Sequence, residues 1–197
     1  MQPQAPVAAG RASALSLRPA QMADVPVLEA LIARSGIGLS AGFYSDAQAA
    51  AVTRHVFGVD TQLIADQTYF VIEDAGKAVA CGGWSKRRTL FGGDRAKSGA
   101  DPLLDPSREA ARIRAFFVDP GMERRGLGSR LMRHCTREAA RNGFNALELV
   151  ATLPGEPLYL ASGFAVIERF ALDLPGGIEV PVTRMRKNIG PEKTTAP

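Results

Sequence analysis

Two cysteines, two histidines and one tryptophan in 197 residues leave little material for several kinds of chemistry. Cys81 and Cys135 lie far apart with no Cys-x-x-Cys pair, and His55 and His134 stand singly, so neither a zinc site nor a disulfide framework is encoded, and no metal is expected. No apolar run approaches the roughly 20 residues that cross a bilayer, and no compact apolar segment follows a basic start as in a secretory signal. A soluble, cytoplasmic protein with no membrane partner is the expectation. There are no internal repeats.

What is present suits one globular domain: 46% hydrophobic and 22% charged residues, enough to bury a full core. The domain is expected to span 15–188. Met1 to Ala14, rich in Ala, Pro and Gln, reads as a disordered tail rather than a transit segment, and 189–197 as a frayed polar end. The net charge of +4 admits nucleic acid as a partner. Arg130, Arg133, Arg137 and Arg141 recur at helical steps, but few aromatics flank them and no nucleic-acid motif accompanies them, so that class ranks last. The stripe reads as a solvated helix face or as a contact for an outer phosphate or acidic partner.

Periodicity sets out the elements. Leu15 to Arg18 alternates like a strand; Asp24 is placed to cap a helix carrying Leu28, Leu31 and Ile32; Ser45 and Gln48 form a capping box for a second helix reaching about Phe57. Thr68 to Glu73 and Lys77 to Trp84 flank Asp74-Ala75-Gly76 as a hairpin. Nothing from Ser85 to Glu109 is periodic, which predicts a long loop. Ala111 to Val118 is a strand, a helix runs to Arg141 before Asn142-Gly143, Ala146 to Ala151 is a strand, and Pro157 opens a short helix. Phe164 to Leu174 and Glu179 to Lys187 close the chain as strands joined by Pro175-Gly176-Gly177. The class is α+β: a mixed, mostly antiparallel sheet of about seven strands flanked by about four helices.

The most informative segment runs from Val118 to Met132, a strand entering a helix through a glycine-rich turn with two arginines. Backbone N–H groups at a helix start lack intrahelical partners, so Gly126, Leu127, Gly128 and Ser129 can aim several donors at one anion while Arg124 and Arg125 add forked charge. The Walker pattern fails because Leu127 stands where its lysine belongs, and the dinucleotide fingerprint fails because Leu131 replaces its third glycine.

Val118-Asp119-Pro120 followed by Gly126-Leu127-Gly128 resembles the CoA-binding signature of the GNAT N-acetyltransferase superfamily, with Glu123 standing at the signature's first basic position. Leu158-Tyr159-Leu160-Ala161-Ser162-Gly163-Phe164 resembles the family's later block, a tyrosine four residues before Gly-Phe. The resemblance extends from about Leu15 to Lys187. It implies an acetyl-CoA-dependent N-acetyltransferase in which the cradle binds the pyrophosphate of the co-substrate. Backbone groups of Phe116 and Val118 would then pair with the pantetheine arm, with Thr152 where relatives often carry Asn. It also implies direct attack of a primary amine on the thioester, with Tyr159 as the acid for the departing thiolate.

An alkylammonium, with a reference pKa of about 10.4, costs roughly 4 to 5 kcal/mol to present as free amine at neutral pH. A base is therefore needed. Some relatives place a glutamate where this chain has Arg112; a carboxylate reached through water, such as Glu148, is the alternative, while Glu148 reads more simply as a strand residue paired with arginine. For the acceptor, a small-molecule or protein amine, Trp84, Arg114 and Tyr44 are candidate contacts, with Trp84 reading equally as a core residue. Arg114, helped by Arg87 or Arg88, reads either as a recogniser of an acceptor carboxylate or as the internal partner of Glu148, Glu168 or Asp173. Phe43 is expected in the core. A non-catalytic acyl-CoA-binding or sensing module is the alternative function, and exposed sheet edges suit a homodimer.

Overall fold

The computed structural model describes residues 15–97, 99 and 101–190; the tail expected at 1–14 and residues 191–197 of the one expected at 189–197 lie outside the described residues, while Ile189 is buried and donates its N–H to Asn145 C=O. Seven strands, β1 (Ser16–Pro19), β2 (Tyr69–Asp74), β3 (Lys77–Ser85), β4 (Ala111–Val118), β5 (Ala146–Thr152), β6 (Ala165–Leu174) and β7 (Ile178–Asn188), form one sheet in the order β1-β2-β3-β4-β5-β7-β6. Every neighbouring pair is antiparallel except β4 and β5. The helices are α1 (Val25–Gly38), α2 (Asp46–His55), α3 (Thr61–Ala65), α4 (Leu127–Arg141) and α5 (Glu156–Ala161).

The strand period of two sends alternate residues of β2 into different cores. Phe70 and Ile72 join Leu131, Cys135 and Ala139 of α4, whereas Tyr69 and Val71 join Leu28, Leu31 and Ile32 of α1 and Leu63 of α3. A third cluster seats Val52 of α2 on Val180 and Val182 of β7. The sheet is thus covered on both faces.

Most elements follow their sequence signals, and β4 does so residue for residue. Ser45 caps α2 as expected, its hydroxyl accepting from Gln48 N–H while the Gln48 side chain accepts from Ser45 N–H. Asp24 holds the N-cap position of α1 but makes no side-chain cap bond there. Its carboxylate accepts from Gln21 N–H and from Arg18, closing a 3-10 turn over Met22–Asp24. Five helices stand where four were expected, because the single-turn α3 is too short to show a period; its signal was Asp60, whose side chain accepts from Gln62 N–H. The long segment after β3 holds one 3-10 turn, Asp94–Ala96, and one bridge between Arg87 and Leu103. Ion pairing fastens it to the domain, Arg87 clasping Asp66 with donors at 2.6 and 2.9 Å.

Candidate active site

The sheet opens at its centre. β4 and β5 are paired only at Ala111 with Leu147 and Arg112 with Glu148, and beyond those two positions the parallel strands diverge without further pairing. The facing backbone edges of β4 and β5 are left without a strand partner, a template of the kind an extended ligand can complete. A bulge steers the divergence. Cys81 pairs with Phe117 and Gly83 with Arg114, so Ala115 and Phe116 together oppose Gly82, with Ala115 at a φ of 53°. The Tyr69 hydroxyl pins the bulge by donating to Ala115 C=O at 3.1 Å. Gly82 is required there, since a Cβ would stand 2.6 Å from the Phe116 ring.

A cleft of about 670 Å³ fills the wedge. Phe116 and Val118 from β4, Val150 and Thr152 from β5, and Leu158 and Tyr159 from α5 line one part of it; Arg124, Gly126, Leu127, Gly128 and Ser129 close its end. The structure thus brings together most of the residues that the sequence singled out. Gly126 caps α4 at a φ of +76° with no side-chain acceptor, so the first N–H groups of the helix have no partner from a cap side chain. Arg124 is also left-handed, at 60°, which turns successive backbone N–H groups into the concave nest suited to an anion. Gly128 permits close packing against α5, where a Cβ would lie 2.9 Å from Leu158. These donors and the unpaired strand edges fit a pyrophosphate joined to an extended arm. Glu123 also lines this end.

Tyr159 is buried, its ring edge-on to Phe116 and Phe164 at centroid distances of 6.4 and 5.9 Å. Burial, with a smaller contribution from Cys135, raises its pKa above the ordinary phenol value, so it remains a proton carrier across the working range. Its hydroxyl has no hydrogen-bond partner among the described residues. Cys81 and Cys135 are buried free thiols, and burial pushes Cys81 up to about 12, so neither supplies a nucleophile.

Other residues stand differently from their sequence reading. Arg125 is exposed and donates to Met122 Sδ at 2.8 Å, outside the cleft lining. The arginine stripe, by contrast, agrees with the solvated-face reading at Arg133 and Arg137, which are exposed, while Arg130 donates to Leu15 C=O and Arg141 pairs with Glu138. Trp84 is buried in the core, edge-on to Phe144 at 5.9 Å, because its side of β3 faces α4 rather than the cleft. Tyr44 and Phe43 exchange the roles expected of them. The Tyr44 hydroxyl is held inside, donating to Pro181 C=O and accepting from Leu153 N–H, while Phe43 is 49% exposed and lines the cleft.

Glu148 is sandwiched between Arg112 and Arg184 at 3.0 and 2.5 Å and does not line the cleft, which removes its support as a base. The Arg114 side chain is 1% exposed and pairs with Asp60 at 2.9 Å, not with Glu148, Glu168 or Asp173. It also donates to the carbonyls of Thr89 and Gly92 in the long loop. Asp60 takes Lys97 as a second cation. Sequence reasoning missed Ser35, whose hydroxyl accepts from Val118 N–H at 3.2 Å and lines the cleft. Its signal was a serine on the α1 face that carries Leu28, Leu31 and Ile32.

Among the described residues no helix is long and apolar enough to cross a membrane, and no group of three His, Cys, Asp or Glu is gathered to hold a metal. Residues 42–164 match the model of the Acetyltransferase (GNAT) family. No curated relative matches the chain by sequence. Among solved structures, the fold is similar to a GCN5-related N-acetyltransferase from Rhodopseudomonas palustris, with TM-score 0.66 and 19% identity over 90% of this chain and 97% of that one. It is also similar to YncA from Salmonella typhimurium with its cofactor acetyl-CoA, with TM-score 0.60 and 18% identity over 94% and 98% of the two chains. The ribosomal-protein-S18-alanine N-acetyltransferase of Escherichia coli gives TM-score 0.56 and 17% identity over 93% and 99%.

Proposed function

From a chain that belongs to the GNAT acetyltransferase family, we propose an acetyl-CoA-dependent N-acetyltransferase that moves the acetyl group to a primary amine by direct attack on the thioester. One observation carries the reading: the unpaired edges of β4 and β5 lead from the nest at Gly126 to the unbonded hydroxyl of Tyr159. The nest, with Arg124, holds the pyrophosphate; Phe116 and Thr152 flank the arm. Val118 N–H already has Ser35 Oγ as its acceptor, so that serine must yield or share when the strand edge is used. Tyr159 gives its proton to the sulfur as the C–S bond breaks, and backbone N–H groups near the bulge stabilise the developing oxyanion.

The two buried, unpaired thiols suit the reducing cytoplasm. One observation favours the second reading, a non-catalytic acyl-CoA module: Glu123, on the cradle turn, is the only carboxylate lining the cleft among the described residues.

The test is calorimetric titration with acetyl-CoA followed by thiol release in the presence of amines. Saturable 1:1 binding with amine-dependent release supports the enzyme. Binding without release under any amine supports the module. No binding up to millimolar acetyl-CoA removes the cofactor assignment.

A further inference from the structure

Beyond the cradle and the splayed strands, the same cleft is walled by apolar side chains drawn from four separate regions. Leu39 and Phe43 come from the end of α1 and the turn after it, Phe57 follows α2, Leu90 and Phe91 come from the long loop, and Leu172 comes from β6. Phe43 keeps half its surface exposed although it lines a cavity that could bury it, an apolar surface awaiting a partner.

Among the described residues, the charged side chains of the lining are Arg114, Glu123 and Arg124. The last two belong to the cradle turn, and Arg114 is spent on Asp60 and two loop carbonyls. Three carboxylates of neighbouring elements are also engaged. Asp60 is fully buried between Arg114 and Lys97, Glu29 accepts from Val59 N–H and Arg95, and Asp94 accepts from Thr61 N–H. Among the described residues, no free carboxylate therefore lines this part of the cleft to receive an ammonium or to take its proton.

We infer that the acceptor is an apolar, weakly basic amine, of which an arylamine is the simplest case, that enters the chamber already neutral. An ordinary alkylamine is neutral in roughly one molecule in 2,500 at neutral pH, and its charged form loses hydration in an apolar chamber with no counter-ion. A weakly basic amine avoids both losses and needs no protein base to start the reaction. Its lone pair forms the C–N bond, the C–S bond breaks, and the sulfur takes the Tyr159 proton. The proton surplus on nitrogen passes to water, and water reprotonates the tyrosinate. Polyamines and aminoglycosides, with several ammonium groups, are excluded by the same reasoning.

The inference rests on the acetyltransferase reading, and the experiment separates the two. Acetyl-CoA binding is measured first by calorimetry. Thiol release is then compared for a substituted aniline, phenethylamine, spermine and an aminoglycoside, and the aniline and spermine are also titrated into the protein alone. The aniline should surpass spermine by about tenfold or more in kcat/KM. Its rate should stay level from neutral to mildly alkaline pH, whereas that of phenethylamine should climb about tenfold per pH unit. Phe43→Ala, a change at an exposed side chain, should lower the aniline's kcat/KM about tenfold and leave acetyl-CoA affinity intact. Preference for spermine or the aminoglycoside, or binding of acetyl-CoA with no use of the aniline, overturns the inference. If acetyl-CoA does not bind, the acetyltransferase reading falls, and the direct titrations still judge the chamber: tighter spermine than aniline overturns it, and the reverse order supports it.

Discussion

Replacing Arg114 with methionine should loosen the long loop and lower stability together. The guanidinium is buried, and it alone joins Asp60, at the start of α3, to the carbonyls of Thr89 and Gly92 across a central strand. Removing one partner of a buried ion pair costs about 3 to 5 kcal/mol, because the other charge is stranded. Asp60 keeps Lys97, so the lower end applies, about 3 kcal/mol, or roughly 6 to 12 °C in Tm for a domain of this size. Urea denaturation and calorimetry read the loss. Kinetics then read the consequence for the site, since this loop carries Leu90 and Phe91 into the cleft: acceptor KM should rise while the acetyl-CoA dissociation constant holds. Because Asp60 also holds Lys97 and accepts from Gln62 N–H, adding Asp60→Leu to the methionine variant should cost further stability rather than restore it. A loss below about 1 kcal/mol for the single variant would refute the idea that a buried charge pair holds the loop.

Tyr159→Phe should lower kcat by about a hundredfold while leaving acetyl-CoA affinity unchanged, and because burial raises the tyrosine's pKa, the wild-type rate should show no tyrosine-dependent fall through mildly alkaline pH. Gly82→Ala should push the Phe116 ring, 2.6 Å from the new Cβ, toward Tyr159 and weaken acetyl-CoA binding more than it weakens folding, measured by paired titration and denaturation. The Arg87 guanidinium holds the Asp66 carboxyl below its ordinary range, so its stabilisation is present above about pH 4 and lost as pH falls through the depressed value. Arg87→Met should therefore lower stability at neutral pH, converge with the wild type at low pH, and so flatten the acid limb of a stability-versus-pH curve.

The parts of this fold legible in sequence are those whose cause is local. Gly126 and Gly128 announce a tight strand-to-helix passage, and β2 to β3 and β6 to β7 announce hairpins through their glycine turns. Gly126, Gly128 and Tyr159, which line one cleft, could be singled out together because glycine spacing and the Tyr-x-x-x-Gly-Phe block lie within short stretches of chain. What was missed depends on distant partners. Asp60 and Arg114 are 54 residues apart, and nothing near either names the other. Phe43 and Tyr44 are adjacent in an irregular turn, where no period decides which side chain goes inward; the hydroxyl of Tyr44 decided it by reaching Pro181 C=O and Leu153 N–H. Trp84 was drawn toward the site by its rarity, whereas the pleat of β3 turns it onto Phe144.

The two residue pairs that join β4 to β5 make a seam through the middle of the molecule. On one side stand β1 to β4, on the other β5 to β7, and below the seam little backbone bonding ties one half to the other. A ligand lying along the gap would act as an eighth strand, lending its own hydrogen bonds to both halves. Cooperativity of unfolding would then be a property of the complex: amides of β5 and β7 should exchange on their own schedule in the free protein and fall into step with β3 and β4 once the gap is filled.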